Sequence, residues 1–227
     1  MKEVIIDTYC GLSCRECEYK QKCNCEGCKN TNGHPFHGQC ELAQCAVSKG
    51  KRFCGECENF PCDLLKQFSF DVEHGDNGER INNCRRQKST LVENAREGLN
   101  PVSICGHHCD YCFLQEWCGG CRSDYNCCSF ATLFDNGVCP NVACANEKNL
   151  EGCFECPQLE KCEIGYYGRT EEFAAKATAL FIKKYGQETY GKILKKAIES
   201  GLAYAEDLDK SGSVENALHL LETYIEK

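Results

Sequence analysis

Apolar residues in the last quarter of the chain recur every three to four positions, the spacing of one helix face. Phe173, Ala177, Leu180 and Phe181 make a stripe ending near Gly186, with Thr170 and Glu171-Glu172 as its N-terminal signal. Tyr190, Ile193, Leu194, Ala197 and Ile198 make a second, stopped at Gly201. A third, capped by Ser213, carries Ala217, Leu218, Leu221, Tyr224 and Ile225. Three such stripes are expected to pack on one another or on the rest of the chain. A further amphipathic helix is predicted from Gly78 to Glu97 through Ile81, Cys84, Leu91, Val92 and Ala95, with Gly98 as its C-terminal cap and Cys84 as a buried core thiol. Val4, Ile5 and Ile6 predict a short opening strand that delivers Tyr9 and Cys10. No apolar run is long enough for a secretory signal or a membrane span, so a cytoplasmic protein is expected.

Between these elements the regular feature is cysteine. Cys10, Cys14, Cys17, Cys25, Cys28, Cys40, Cys45, Cys54, Cys57 and Cys62 are followed, in the same order and at nearly the same intervals, by Cys105, Cys109, Cys112, Cys118, Cys121, Cys139, Cys144, Cys153, Cys156 and Cys162. The offset starts at 95, falls to 93 and ends at 99 to 100, which reads as a tandem duplication with one short deletion and one insertion. Each copy holds three Cys-x-x-Cys knuckles, and a two-residue spacer lets a tight turn aim both sulfurs at one point. Gly27 and Gly120 precede the second cysteine of their knuckles, where a residue without a Cβ eases the turn.

Composition makes the sulfur chemistry necessary. Of 227 residues 24 are cysteine, and repeats of some 55 residues with so few aliphatic side chains cannot offset chain entropy without staples. In a reducing compartment metal sites suit that task better than disulfides. Ten cysteines per copy make two four-thiolate sites with two left over, or two sites of mixed nuclearity, so about four zinc ions per chain are expected. Cys10 with Cys62, and Cys105 with Cys162, are the expected extras. The unmatched Cys23, Cys127 and Cys128 read as bystanders, and His34, His37, His107 and His108 as solvent-exposed loop residues. An alternative is iron–sulfur: Cys10-x3-Cys14-x2-Cys17 and its counterpart have the spacing used by radical S-adenosylmethionine enzymes, though the rest of such an enzyme is missing, and [4Fe-4S] clusters would suit an electron carrier or an accessory of an anaerobic enzyme.

Charge narrows the partners. The chain carries −8, the second copy −5 and the first +1, and the one cationic cluster is Arg85-Arg86-Gln87-Lys88. Such a surface does not attract a phosphate backbone, so a protein or small-molecule partner is expected, with neither nucleic acid nor membrane. No nucleophile with a base and no phosphate-cradling loop is evident, which points away from an enzyme.

Tyr9-Cys10-Gly11-Leu12-Ser13-Cys14-Arg15-Glu16-Cys17, Cys25-Glu26-Gly27-Cys28, Cys45-Ala46 with Lys49-Gly50, and Cys54-Gly55-Glu56-Cys57-Glu58-Asn59-Phe60-Pro61-Cys62 resemble a cysteine-rich bacterial and archaeal family of unknown function, over residues 9 to about 66. The second copy keeps Cys105-Gly106 and Cys144-Ala145 but has Ile104 for Tyr9, His107 for Leu12 and Glu160-Lys161-Cys162 for the Phe-Pro-Cys step. The resemblance implies metal binding and no particular activity. The expected architecture is therefore two small metal-stapled α+β or irregular repeats with an all-α C-terminal module: repeat one at 1–66, a linker with the amphipathic helix at 67–103, repeat two at 104–165 and the helical module at 166–227.

Overall fold

The long amphipathic stripes are helical. In a computed structural model, which describes residues 2–125, 129–134 and 137–225, the chain forms two compact units, Met1–Asn94 and Ala95–Lys227. The first holds α1 (Tyr19–Lys22), α2 (Glu41–Ser48), α3 (Asp63–Ser69) and nearly all of α4 (Glu79–Arg96). The second holds α5 (Pro140–Glu147), α6 (Ala174–Tyr185), α7 (Gln187–Glu199), α8 (Glu206–Asp209) and α9 (Val214–Glu222). Among the described residues no helix is long and apolar enough to cross a membrane.

Local chemistry sets most of the ends. The Ser213 hydroxyl accepts a hydrogen bond from the Asn216 amide at 3.1 Å and caps α9. Gly98, Gly186 and Gly201 take the positive φ expected just past a helix. The start of α6 departs from expectation. Thr170 does not cap it; the Ala174 amide donates instead to Asp209 Oδ1 of α8, at 2.8 Å, so a carboxylate from a distant turn meets the positive end of the helix.

The expectation of an α+β fold for the cysteine-rich segments is overturned. The described residues are helical, with short 3₁₀ turns, and their only β pairing is an isolated antiparallel bridge between Val102 and His108. Two causes are visible. The Val4–Ile6 segment gives its backbone to side chains of α4: Gln87 Nε2 donates to the Ile5 carbonyl at 2.8 Å, and the Asn94 amide closes two 2.7 Å bonds with the main chain of Lys2. These groups thus find their partners in side chains rather than in a neighbouring strand. The knuckles, meanwhile, fold into single turns such as Cys54–Glu56, Cys109–Tyr111 and Cys153–Glu155, so no extended run is long enough to build a ladder.

The two cores differ greatly in size. In the first unit Leu42, Leu65 and Ile81 form one buried cluster, edged by Phe60, Leu64, Phe68 and cysteines, and Phe53, Cys84 and Val92 are fully buried as well. At about 1.5–3 kcal/mol for each buried aliphatic side chain, this is the smaller of the two cores. In the second, α6 packs on α7, α9 and the turns that follow Cys153, and Phe181, Tyr190, Leu194, Leu208 and Leu221 are fully buried.

A common local plan recurs in the two units. Helices α2 and α5 start 99 residues apart, and each leads into a chain reversal closed at 2.9 Å, Lys51 N to Ala46 O and Leu150 N to Ala145 O. The Cys54 amide donates to the Tyr9 carbonyl at 2.7 Å, and Cys153 to Ile104 at 2.8 Å. Gly11 and Gly106, with φ of +92° and +99°, each lie against a helix. A Cβ on Gly11 would meet Arg80 and Cys84 of α4, and one on Gly106 would stand 2.7 Å from the Ala179 amide nitrogen of α6. Helices α4 and α6 therefore back equivalent turns, with the Arg80 carbonyl and the Ala179 backbone at the point of closest approach.

Candidate functional site

The ten matched cysteines of each unit fall into a group of four and a group of six. The quartet of the first unit is Cys45, Cys54, Cys57 and Cys62, lining one small cleft with Leu42, Leu65 and Phe60. Its counterpart is Cys144, Cys153, Cys156 and Cys162, around a larger cleft. In each case a short helix supplies the first cysteine, a 3₁₀ turn the next two, and the last follows five or six residues later.

The groups of six contain the paired knuckles. In the second unit Cys105, Cys109, Cys112, Cys118, Cys121 and Cys139 all line one cavity of about 40 Å³. The thiol charges acting on Cys109 are, in falling order, those of Cys121, Cys118 and Cys112, whereas Cys105 is influenced by Cys121 and Cys139. The first unit follows suit: Cys14 responds to Cys17 and Cys25, and Cys28 to Cys10, Cys14 and Cys40. Two knuckles thus face each other, with Cys10 and Cys40, or Cys105 and Cys139, beside their last cysteine. The glycines of the second knuckles make this approach possible. A Cβ on Gly27 would lie 3.3 Å from the Cys14 sulfur, and one on Gly120 would lie 3.6 Å from the Cys109 sulfur. Their amides each donate to a knuckle sulfur at 3.4 Å, Gly27 to Cys25 and Gly120 to Cys118.

This grouping differs in one respect from the expected extras: Cys62 and Cys162 line the quartet clefts, and it is Cys40 and Cys139 that accompany Cys10 and Cys105. Within the group of six, the thiol that acts on Cys10 is Cys40, whereas those that act on Cys14 are Cys17 and Cys25. Cys23 is exposed and Cys84 fully buried. Cys127 and Cys128 lie outside the described residues.

Electrostatically these are thiols held out of water. Burial first, then Cys121, pushes Cys109 up to about 12 against the opposing pull of Arg96. Burial likewise raises Cys153 to about 11, with Cys162 and Cys144 adding to it and hydrogen bonds from Tyr167 and Asn141 opposing. Cys54 is pushed far above the ordinary thiol range by burial and by Cys84, Cys10, Cys62 and Cys45. Without a cation Cys54, Cys109 and Cys153 hold their protons; a soft divalent ion would displace them. As they stand, no three Cys, His, Asp or Glu donors among the described residues are grouped closely enough to hold an ion.

Two elements of the quartets escaped the reading of the sequence. Lys49 and Lys148 stand one helical turn after Cys45 and Cys144 and reach over the clefts, with Lys49 Nζ 3.8 Å from the Cys57 sulfur. The charge of Cys57 and then Cys45 raises the Lys49 pKa, and a hydrogen bond with Cys144 followed by that thiol's charge raises Lys148. The recurring Cys-x3-Lys was the available signal. The second is Asn141, nearly fully buried, whose amide donates to Cys153 Sγ at 3.9 Å and to the Ile164 carbonyl at 3.0 Å while its oxygen accepts from Tyr166 N at 2.8 Å.

The histidines divide. His34 and His37 are exposed as expected. His107 and His108 are not solvent-exposed loop residues: His108 is buried, and the His107 ring borders the six-cysteine cavity with its Nδ1 3.1 Å from the Tyr204 hydroxyl. That hydroxyl also accepts the His108 amide at 2.9 Å. The packing comes from Tyr204 and Tyr190, far along the chain, and burial lowers the His107 pKa to about 4.

Fold and site together define a helical, cysteine-rich protein with two sets of clustered thiols. Residues 6–67 match the family described as "Protein of unknown function (DUF3795)", an uncharacterised cysteine-rich family. No curated protein and no solved structure matches the chain.

Proposed function

We propose that this chain is a cytoplasmic zinc protein of tandemly duplicated units, each holding one ion between its paired knuckles and one in its quartet cleft, and that it acts as a structural or interaction module rather than a catalyst. The observation that carries this reading is the repeated quartet: four cysteines at corresponding positions line one cleft in both units, under a lysine at the same place. Four thiolates around a divalent zinc carry a net double negative charge, which Lys49 and Lys148 partly offset. Pairing of Cys14/Cys17 with Cys25/Cys28 also suits a four-thiolate zinc site better than the three-cysteine spacing suits an open cluster.

Metal analysis of anaerobically purified protein, together with its absorption spectrum, tests the proposal. About four zinc equivalents and no visible absorption are expected. Cys57→Ser should lose roughly one equivalent, and Cys84→Ser none. Stoichiometric iron with acid-labile sulfide would establish the iron–sulfur alternative. The partner is sought among proteins and small molecules, since the chain carries a net charge of −8 and Arg85 and Arg86 engage Asn82 and Asn83 of their own helix.

A further inference from the structure

The turn from Ser103 to His108 walls one side of the six-cysteine cavity of the second unit, because it carries Cys105 and His107, both of which line that cavity. Within itself the turn is closed by the Ser103 amide on the His107 carbonyl at 2.7 Å and the Gly106 amide on the Ser103 carbonyl at 3.0 Å. Three contacts hold it to the C-terminal part of the unit. Gly106 lies against Ala179, the Tyr167 hydroxyl donates to the Cys105 carbonyl at 2.9 Å, and the Tyr204 hydroxyl meets both histidines.

The Tyr204 contact uses every hydrogen-bonding role of one oxygen. A phenol hydroxyl offers one donor and two acceptor sites. That of Tyr204 accepts the His108 amide at 2.9 Å and divides its remaining roles between His107 Nδ1 at 3.1 Å and the Tyr190 hydroxyl at 3.2 Å. Tyr190 is fully buried on α7, so a single atom joins the histidine pair to the helical core. Tyr204 itself stands on the short stretch between α7 and α8.

The cavity behind the turn measures about 40 Å³, room for a few waters at most. Cys139, which is buried and lines it, is therefore out of reach of a larger molecule until a wall moves. We infer that the turn carrying Cys105 and His107 is the gate of this thiol cavity and the Tyr204 hydroxyl its latch, so that small thiol-reactive molecules enter when the turn leaves Tyr204. Such entry proceeds through local opening, whose frequency depends on what the closed state alone satisfies. Without the hydroxyl, the His108 amide and His107 Nδ1 lack this partner in the closed turn and find water in the open one, which raises the open population about tenfold. The gate is built from side chains and main chain only, and it does not rest on the zinc reading.

Full-length protein as purified, parent and Tyr204→Phe, is compared at equal metal content by hydrogen–deuterium exchange over residues 103–109 and by N-ethylmaleimide labelling, both read by mass spectrometry. In Tyr204→Phe, exchange in the turn and labelling of Cys105 and Cys139 should rise together by about tenfold. The helical circular-dichroism signal and the labelling of Cys162, in the quartet cleft, should stay as in the parent. Tyr190→Phe keeps both histidine bonds to Tyr204 and should behave like the parent. Unchanged exchange in Tyr204→Phe, faster exchange with unchanged labelling, or an equal effect of Tyr190→Phe would each overturn the inference. Protein that takes up no zinc would overturn the proposed function and leave the gate standing.

Discussion

Replacing Gly106 by alanine probes the contact on which the second unit's cysteine-rich half rests. Two costs combine. With φ of +99° the residue lies where an L side chain is strained, worth about 1–2 kcal/mol. The added methyl would also stand 2.7 Å from the Ala179 amide nitrogen and 3.0 Å from its Cα and Cβ. These are helix backbone and its stub, which cannot swing aside, and overpacking of that kind costs a further 1–3 kcal/mol or so. Gly201→Ala separates the terms, because Gly201 has nearly the same φ, +101°, and nothing within 4 Å of its would-be Cβ. The gain from stiffening the unfolded chain, about 0.4–1 kcal/mol, applies to both variants and cancels in the comparison. Urea unfolding followed by far-ultraviolet circular dichroism should therefore place Gly106→Ala about 1–3 kcal/mol below Gly201→Ala. Equal destabilisation would show that the turn does not bear on α6 and would refute the packing argument.

Three further outcomes are expected. Asp76 is paired with Arg80 in a nearly buried setting; burial alone would raise its pKa, but hydrogen bonds from Ser69 and Arg80 outweigh it and hold the carboxyl below its ordinary value. A depressed carboxylate contributes stability above its unfolded pKa of about 3.9 and loses it as pH falls further, so acid titration of Asp76→Asn should lack an acid limb that the parent shows, at an overall cost of about 3 kcal/mol for stranding Arg80. Ser213→Ala should destabilise the second unit by about 1 kcal/mol in thermal unfolding, and Ser213→Gly by only a few tenths. On the proposed zinc reading, a strong chelator should unfold the first unit, whose core is the smaller, while α6–α9 retain their circular-dichroism signal; near-native tertiary signals from both units would contradict this.

What the sequence made legible follows from the range of the interactions. The stripes of α4, α6, α7 and α9 are properties of adjacent turns, and Gly98, Gly186 and Gly201 mark their ends by a conformation that few other residues adopt. Knuckles are equally local, since two residues of spacing set where both sulfurs point. The long-range choices were invisible: that Cys40 rather than Cys62 accompanies Cys10, that Asp209 rather than Thr170 caps α6, and that Tyr204 draws His107 and His108 out of water. The Val4–Ile6 run suggested a strand because β-branched residues have the same apolar signature beside a helix as in a sheet. Gln87 and Asn94, which decide between these, lie more than 80 residues away.

The placement of α4 and α6 bears on how the chain emerges during synthesis. Domains generally fold as units, N-terminal first, and the first unit has its backing helix in hand by Arg96, before any cysteine of the second has been made. Its thiols can therefore be covered early. In the second unit the turn at Gly106 is backed by Ala179 of α6, and the first amide of α6 is held by Asp209. Its matched cysteines, like those of the first unit, are all translated before the helix that backs their first turn, and the group that holds the first amide of that helix, Asp209, comes later still. A stalled or truncated nascent chain ending between Cys162 and Asp209 would carry one finished unit and one open one.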